Sequence, residues 1–274
     1  MNKFVLLLKS YKKDFIDAKR LVLSIEKHNI EKIPIYLSVN DEDYDYFRDN
    51  LLVSDITLLK DSDIIKVNIK DKWRYQQIVK SQFYRLNVCK NYLCIDSDSF
   101  FIRDFRVSDF MYDENTPYTV MHEAKSFLDM LEIIGIDSTK NSFKEPIKAL
   151  RTIFNSPSGK EWDFGPSPYI WSTKVWKHLA EVYLVERGLT FEDFFTEIDK
   201  ITIPAEGLIY GEYLLKTRLI DIFPIEGLFK VYHFKKQFDL EKKYYDIDRL
   251  KKNYMGIIFQ SNWAHKKHKF WKFW

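Results

Sequence analysis

Tyr92-Leu-Cys-Ile-Asp-Ser-Asp-Ser-Phe-Phe-Ile102 sets two carboxylates between apolar runs. Tyr92 to Ile95 reads as a buried strand, and Phe100 to Ile102 is apolar again. Carboxylates enclosed by core-type segments cost free energy unless a cation or hydrogen bonds satisfy them. Residues i and i+2 of an extended chain point the same way, so Asp96 and Asp98 are expected to face one site. The C-terminal end of a central parallel strand is where open α/β sheets bind ligands. A hard divalent cation that keeps several waters and bridges carboxylates to a diphosphate suits that place. The plainer alternative is a pair of caps on nearby backbone N–H groups.

Around this segment strands and helices alternate. Lys3 to Lys9 is a short apolar run of the kind buried in parallel sheets. Between Asp14 and Asn29, Phe15, Ala18, Leu21, Val22 and Ile25 recur at helical spacing. Ile33 to Val39 and Ile56 to Leu59 read as further strands, with a short helix over Asp41 to Asn50. Lys72 to Cys89 reads as one helix running straight into the central strand. The pattern predicts βαβ units and a mostly parallel central sheet flanked by helices, in a single α/β domain. Beyond it, strands are expected at Tyr118 to Met121, Tyr169 to Trp171, Phe229 to Phe234 and Gly256 to Gln260. Helices are expected over Ala124 to Ile134, Thr173 to Val185 and Gly207 to Thr217. Residues 1–110, 111–230 and 231–274 read as three segments of one continuous fold.

The chain has 274 residues, enough to bury a core without disulfides or a structural metal. Its two cysteines, Cys89 in a helical stretch and Cys94 in a strand, suit a reducing compartment. With 43 basic and 40 acidic residues it lacks the basic excess of a nucleic-acid binder. No run approaches the length of a membrane span, and Phe4 to Leu8 is too short for a signal segment, so a cytoplasmic protein is expected. Asp-x-Asp recurs at Asp41/Asp43, Asp43/Asp45, Asp61/Asp63 and Asp246/Asp248, in polar surroundings that suggest solvated charges or helix caps. A calcium loop at residues 41–52 is ruled out by Tyr46 and Leu52, where glycine and glutamate are needed.

Trp73-Arg-Tyr-Gln-Gln-Ile-Val-Lys80, followed by Cys89-Lys-Asn-Tyr-Leu-Cys-Ile-Asp-Ser-Asp-Ser-Phe-Phe-Ile-Arg103, resembles the GT-A glycosyltransferases, in which a helix precedes the strand ending in Asp-x-Asp. It is most similar to a bacterial family of glycosyltransferase-like proteins described as a domain of unknown function. Lys9-Ser-Tyr11, Tyr169-Ile-Trp-Ser172 and Ala205-Glu-Gly-Leu-Ile-Tyr-Gly-Glu-Tyr213 share the pattern, so the likeness runs from about residue 3 to residue 220. It implies a nucleotide-sugar donor, UDP-linked by slight preference, and a divalent metal, Mn²⁺ or Mg²⁺. Residues 1–110 then become the nucleotide-sugar half and residues 111–230 the acceptor half. Asp98 would ligate the metal, and Asp96 would hold the ribose or reach the metal through water. Lys9, Ser10 and Tyr11 would receive the nucleoside, with Gln77, Lys80 and Ser97 also on the donor and Arg85 a companion. Such enzymes often add a later metal ligand, for which His233 and then His265 are the candidates; His122 could face the acceptor.

Inverting transfer needs a carboxylate to take the acceptor's proton. Glu206 is the first choice, with Glu212 and Asp163 in reserve; retention needs no such base. An acid at a helix start is also what the helix dipole alone favours. The acceptor expected is a glycan or a lipid-linked one, in surface polysaccharide assembly. The aromatic, basic tail from His265 to Trp274 could rest on the inner face of an anionic membrane, pack on the domain or hang loose. The rivals are a nucleotidyltransferase or another metal-dependent phosphate-ester enzyme, and an inactive GT-A-like binding module. Lys9-Ser-Tyr-Lys-Lys13 lacks the glycine-rich loop the first would want, and a haloacid-type phosphohydrolase would carry its Asp-x-Asp on the first strand.

Overall fold

Near-continuous apolar runs form the central strands in this computed structural model, which describes residues 1–53, 55–140, 144–260 and 263. In chain order the strands are β1 (Asn2–Ser10), β2 (Ile35–Val39), β3 (Ile56–Lys60), β4 (Cys89–Asp96), β5 (Ser99–Phe101), β6 (Thr119–Val120), β7 (Tyr169–Ser172), β8 (Pro224–Ile225), β9 (Phe229–Tyr232) and β10 (Gly256–Phe259). The helices are α1 (Phe15–His28), α2 (Tyr44–Asn50), α3 (Asp61–Ile64), α4 (Lys72–Ser81), α5 (Lys125–Ile133), α6 (Lys144–Ile153), α7 (Thr173–His178), α8 (Phe191–Asp199), α9 (Glu206–Thr217), α10 (Lys235–Glu241) and α11 (Ile247–Leu250).

The main sheet has the order β3-β2-β1-β4-β7. β1 to β4 run parallel and β7 runs antiparallel to β4. The order reverses between β1 and β4, where Lys9 stands level with Asp96 and, on its other side, with Ser38. Such a switch point opens a crevice at the carboxyl ends of the strands. Alternation along β1 sends Val5 and Leu7 to one face and Phe4, Leu6 and Leu8 to the other. Ile78 and Val79 of α4 cover the first face with α7, α8 and α9; Leu21, Val22 and Ile25 of α1 cover the second with Phe47 of α2. A smaller sheet, β5-β10-β9, continues from the end of β4, and β6 pairs with β8.

The expected α/β architecture with a mostly parallel central sheet is therefore present. Three local expectations are corrected. The helix begun at Lys72 stops at Ser81 rather than Cys89; a 3-10 turn over Phe83–Leu86 follows, and Asn87 takes a left-handed conformation with φ 52°. Cys89 accordingly opens β4, buried, and Cys94 lies within the same strand. The helix expected over Thr173 to Val185 is α7, a π stretch over Leu179–Tyr183 and a 3-10 turn over Val185–Arg187. Among the described residues no helix is long and apolar enough to cross a membrane.

Candidate functional site

At the switch point the sheet edge is built around two buried lysines. Lys80 projects from the last turn of α4, and its ammonium lies 2.5 Å from Asp96 Oδ1 and 2.9 Å from Glu206 Oε1. Burial works against that charge, but the two carboxylates outweigh it and hold the ammonium well above its ordinary range. Arg74, two turns earlier on α4, reaches Asp199 at 2.5 Å and the Pro204 carbonyl at 3.0 Å, just before α9. It also donates to Gln77 Oε1, while Gln77 Nε2 is buried without a hydrogen-bond partner. One face of α4 thus holds the chain leading into α9 at both ends, Arg74 on Asp199 and Pro204 and Lys80 on Glu206.

Lys9 ends the apolar run of β1 and is buried against Asp61 Oδ2 at 3.1 Å. Ser38 Oγ donates to Asp61 Oδ1 at 2.5 Å, which ties β1, β2 and the start of α3 together. Burial draws the Lys9 ammonium below its ordinary range, with Asp61 opposing. Lys9 also lies 4.2 Å from the ring centroid of Tyr11, whose hydroxyl donates to Gln76 Oε1 at 2.9 Å. Beyond Tyr11 opens a cavity of about 450 Å³ lined by Asn40, Asp41, Glu42, Ser62, Lys66, Lys70, Lys72 and Tyr75. That is the size range of small-ligand sites. Tyr11 lines this cavity; Lys9 lies beneath it and Ser10 is buried.

The acid candidates are all engaged. Glu206, first residue of α9, is buried and paired with Lys80. Glu212, on the same helix, receives Arg151 Nε at 2.9 Å and Nη2 at 3.1 Å. Burial still raises its carboxyl above the ordinary range, with Arg151 opposing. Asp163 accepts from the Gly165 N–H at 2.9 Å and is likewise raised by burial. Its backbone pairs with His122, whose Nδ1 accepts from the Ala124 N–H, so the other ring nitrogen, Nε2, is the donor to the Gly165 carbonyl. Two glycines bring α9 this close: a Cβ on Gly207 would stand 2.4 Å from Tyr169 Cε1, and one on Gly211 2.1 Å from Phe164 Cγ.

Asp96 and Asp98 do not point the same way, because β4 ends at Asp96 and Ser97–Asp98 form a turn into β5. Asp96 turns to Lys80 on one face of the sheet, whereas the charge of Asp98 bears on Arg20 of α1, on the other. Burial lowers the Arg20 guanidinium to about 10, opposed by Asp17 and Asp98. Ser97 and Asp98 are both partly exposed. Their chemistry, hard oxygen donors at a strand end, fits a divalent cation whose remaining positions go to water and phosphate. Among the described residues no three His, Cys, Asp or Glu side chains converge to hold an ion. His233 follows β9 on the smaller sheet, packs against Phe127 and is lowered to about 4 by burial, with Lys230 adding to the effect. His265 and the tail from residue 264 lie outside the described residues. Arg85 is exposed and donates to Gln82, away from the cluster.

Asp61, expected from its polar surroundings to be a solvated charge or cap, is instead fully buried. Its partners Ser38 and Lys9 lie on other strands, but its flanks, Leu58-Leu59 and Ile64-Ile65, carry a core-like signal. The cap reading holds for Asp63 and Asp246, which accept from the Lys60 and Arg249 N–H groups; Asp43 is buried and accepts instead from the Lys12 N–H, 31 positions away.

The fold and its edge define an α/β protein with a ligand-sized cavity at the carboxyl ends of parallel strands. A family model described as a family of unknown function (DUF6492) matches residues 1–264, and the chain belongs to that family. No curated protein matches it.

Proposed function

We propose that the protein transfers a sugar from a nucleoside-diphosphate sugar, with Mn²⁺ or Mg²⁺, to a glycan or lipid-linked acceptor in surface polysaccharide assembly. One observation carries this reading: Asp96-Ser97-Asp98 ends a central parallel strand at the switch point, on the same sheet edge as a cavity of about 450 Å³. Asp98 would hold the cation from the turn after β4, and Asp96, paired with Lys80, would lend its charge without ligating the ion directly. When bound, the cation supplies neutralisation of the charge that develops on the leaving diphosphate. Tyr11 and Tyr75 offer aromatic walls for a base, and Lys66, Lys70 and Lys72 give the cavity rim positive charge. Lys80 fixes Asp96 so that its carboxylate does not swing as a ligand enters. Glu206, Glu212 and Asp163 are each committed to a cation or a backbone donor, which favours retention of configuration, where no base is needed.

The test is thermal denaturation with UDP-, GDP-, CMP- and dTDP-sugars, each with and without Mn²⁺. A nucleotide at 100-fold its Kd should add about 2.7 kcal/mol, an upward shift of several degrees for a chain of this size. Asp98→Ala should keep its melting temperature and lose the Mn²⁺-dependent part of that shift. Stabilisation by none of these donors, or an Asp98→Ala protein that responds like wild type, would overturn the reading.

A further inference from the structure

An ammonium has three donors. The Lys9 ammonium donates to the Ser10 carbonyl at 3.0 Å and to Asn40 Oδ1 at 3.3 Å, and is ion-paired with Asp61 Oδ2 at 3.1 Å. At 2 % exposed, the side chain is closed off from a ligand. Lys9 therefore acts through what it holds. Because an ammonium only donates, Asn40 must turn Oδ1 toward it, which makes the Nδ2 amino group the other edge of the amide. Asn40 itself lines the cavity. An unconstrained asparagine can rotate its amide to suit either a donor or an acceptor. This one cannot, because the flip would set its NH₂ against a buried ammonium.

We infer that Lys9 is a positioning residue that locks the Asn40 amide, and that Asn40 Nδ2 donates to an acceptor atom of the ligand in the cavity. The lock is anchored on two further strands. Asp61, which fixes Lys9, opens α3 directly after β3 and accepts from Ser38 of β2. Asn40 follows β2 by one residue, so lysine, aspartate and asparagine come from three strand ends held in register. Asp41 and Glu42 next to it offer acceptors, giving the wall a fixed donor beside carboxylates. A ligand must present a carbonyl, ring nitrogen or hydroxyl oxygen at Asn40, not an amino group. This inference rests on reading the cavity as the nucleoside site.

The experiment is calorimetric titration of the full chain with UDP, GDP, ADP, CDP and dTDP in Mg²⁺ buffer. Asn40→Asp keeps an acceptor for Lys9 but replaces the donating edge with a second acceptor. The nucleotide that binds wild type best should bind this variant about tenfold more weakly or worse, at unchanged melting temperature. Lys9→Gln, which can donate or accept and so releases the amide, should narrow the differences among the five nucleotides; a merely structural role would weaken all five alike. Wild-type affinity in Asn40→Asp overturns the inference alone. Failure of wild type to bind any of the five overturns the nucleotide reading and the inference with it.

Discussion

Lys80 and Lys9 lie buried on the same sheet edge, and their charges are balanced in opposite ways. Lys80 has two carboxylates, Asp96 and Glu206, and Asp98 stands two residues further along the chain. Lys9 has one carboxylate, Asp61, and two neutral oxygens. The consequence is visible in their proton affinities: Lys80 is held above the ordinary lysine range and Lys9 below it. The β4 end therefore carries surplus negative charge, while the buried Lys9–Asp61 pair under the cavity is balanced one to one. On the proposed function, the cation would belong with the first and the nucleoside with the second. One sheet edge is thereby divided between the two halves of the proposed donor.

The largest expected effect comes from removing the shared cation. Lys80→Met leaves Asp96 and Glu206 facing one buried point with nothing between them. Breaking a buried pair in this way costs roughly 3–5 kcal/mol. Urea denaturation should show it as a lowered midpoint with an unchanged slope. A loss below about 1 kcal/mol would mean that water or rearrangement satisfies both acids, and the contrast between the lysines would dissolve. Asp61→Asn comes next. It leaves Lys9 with neutral acceptors only, and burial already weighs against its charge. A cost of about 2–3 kcal/mol is expected, in line with a buried charge stripped of its counter-ion. A near-neutral result would show that Ser10, Asn40 and the Tyr11 ring suffice.

The contrast was only half legible in the sequence. Val5 to Leu8 and Tyr92 to Ile95 announce buried parallel strands because both faces are covered, so polar residues are absent from them. The carboxylates at Asp96 and Asp98 stood out against that background. Their divergence did not, since it depends on Ser97 starting a turn where an extended strand was assumed. The end of α4 was equally hidden: Phe83, Tyr84 and Leu86 keep an apolar pattern through a 3-10 turn, and only Asn87, in the left-handed region, stops it. The pairs Lys9–Asp61 and Lys80–Glu206 join residues 52 and 126 positions apart, and local pattern carries no information about such partners. The same holds for β5, β9 and β10, whose sheet is assembled from residues 99 to 259.

The smallest effect, and the finest test of the comparison, is Glu206→Gln. The amide oxygen can still accept from Lys80 at the present 2.9 Å, and Asp96 at 2.5 Å still supplies a full negative charge. What is lost is the second charge, and one new buried NH₂ group needs a partner. The expected cost is therefore about 1 kcal/mol, the net worth of one hydrogen bond exchanged for a weaker one. Redundancy predicts this value to fall well below that of Asp61→Asn, although both exchange one buried acid for its amide beside a buried lysine. Urea midpoints measured side by side decide the matter. If Glu206→Gln destabilises as much as Asp61→Asn, Asp96 does not hold Lys80 by itself. In that case Asp96 would have to be spending its charge elsewhere, on the side of Ser97 and Asp98, and the division of the edge would run between Lys80 and Asp96 instead of between the two lysines.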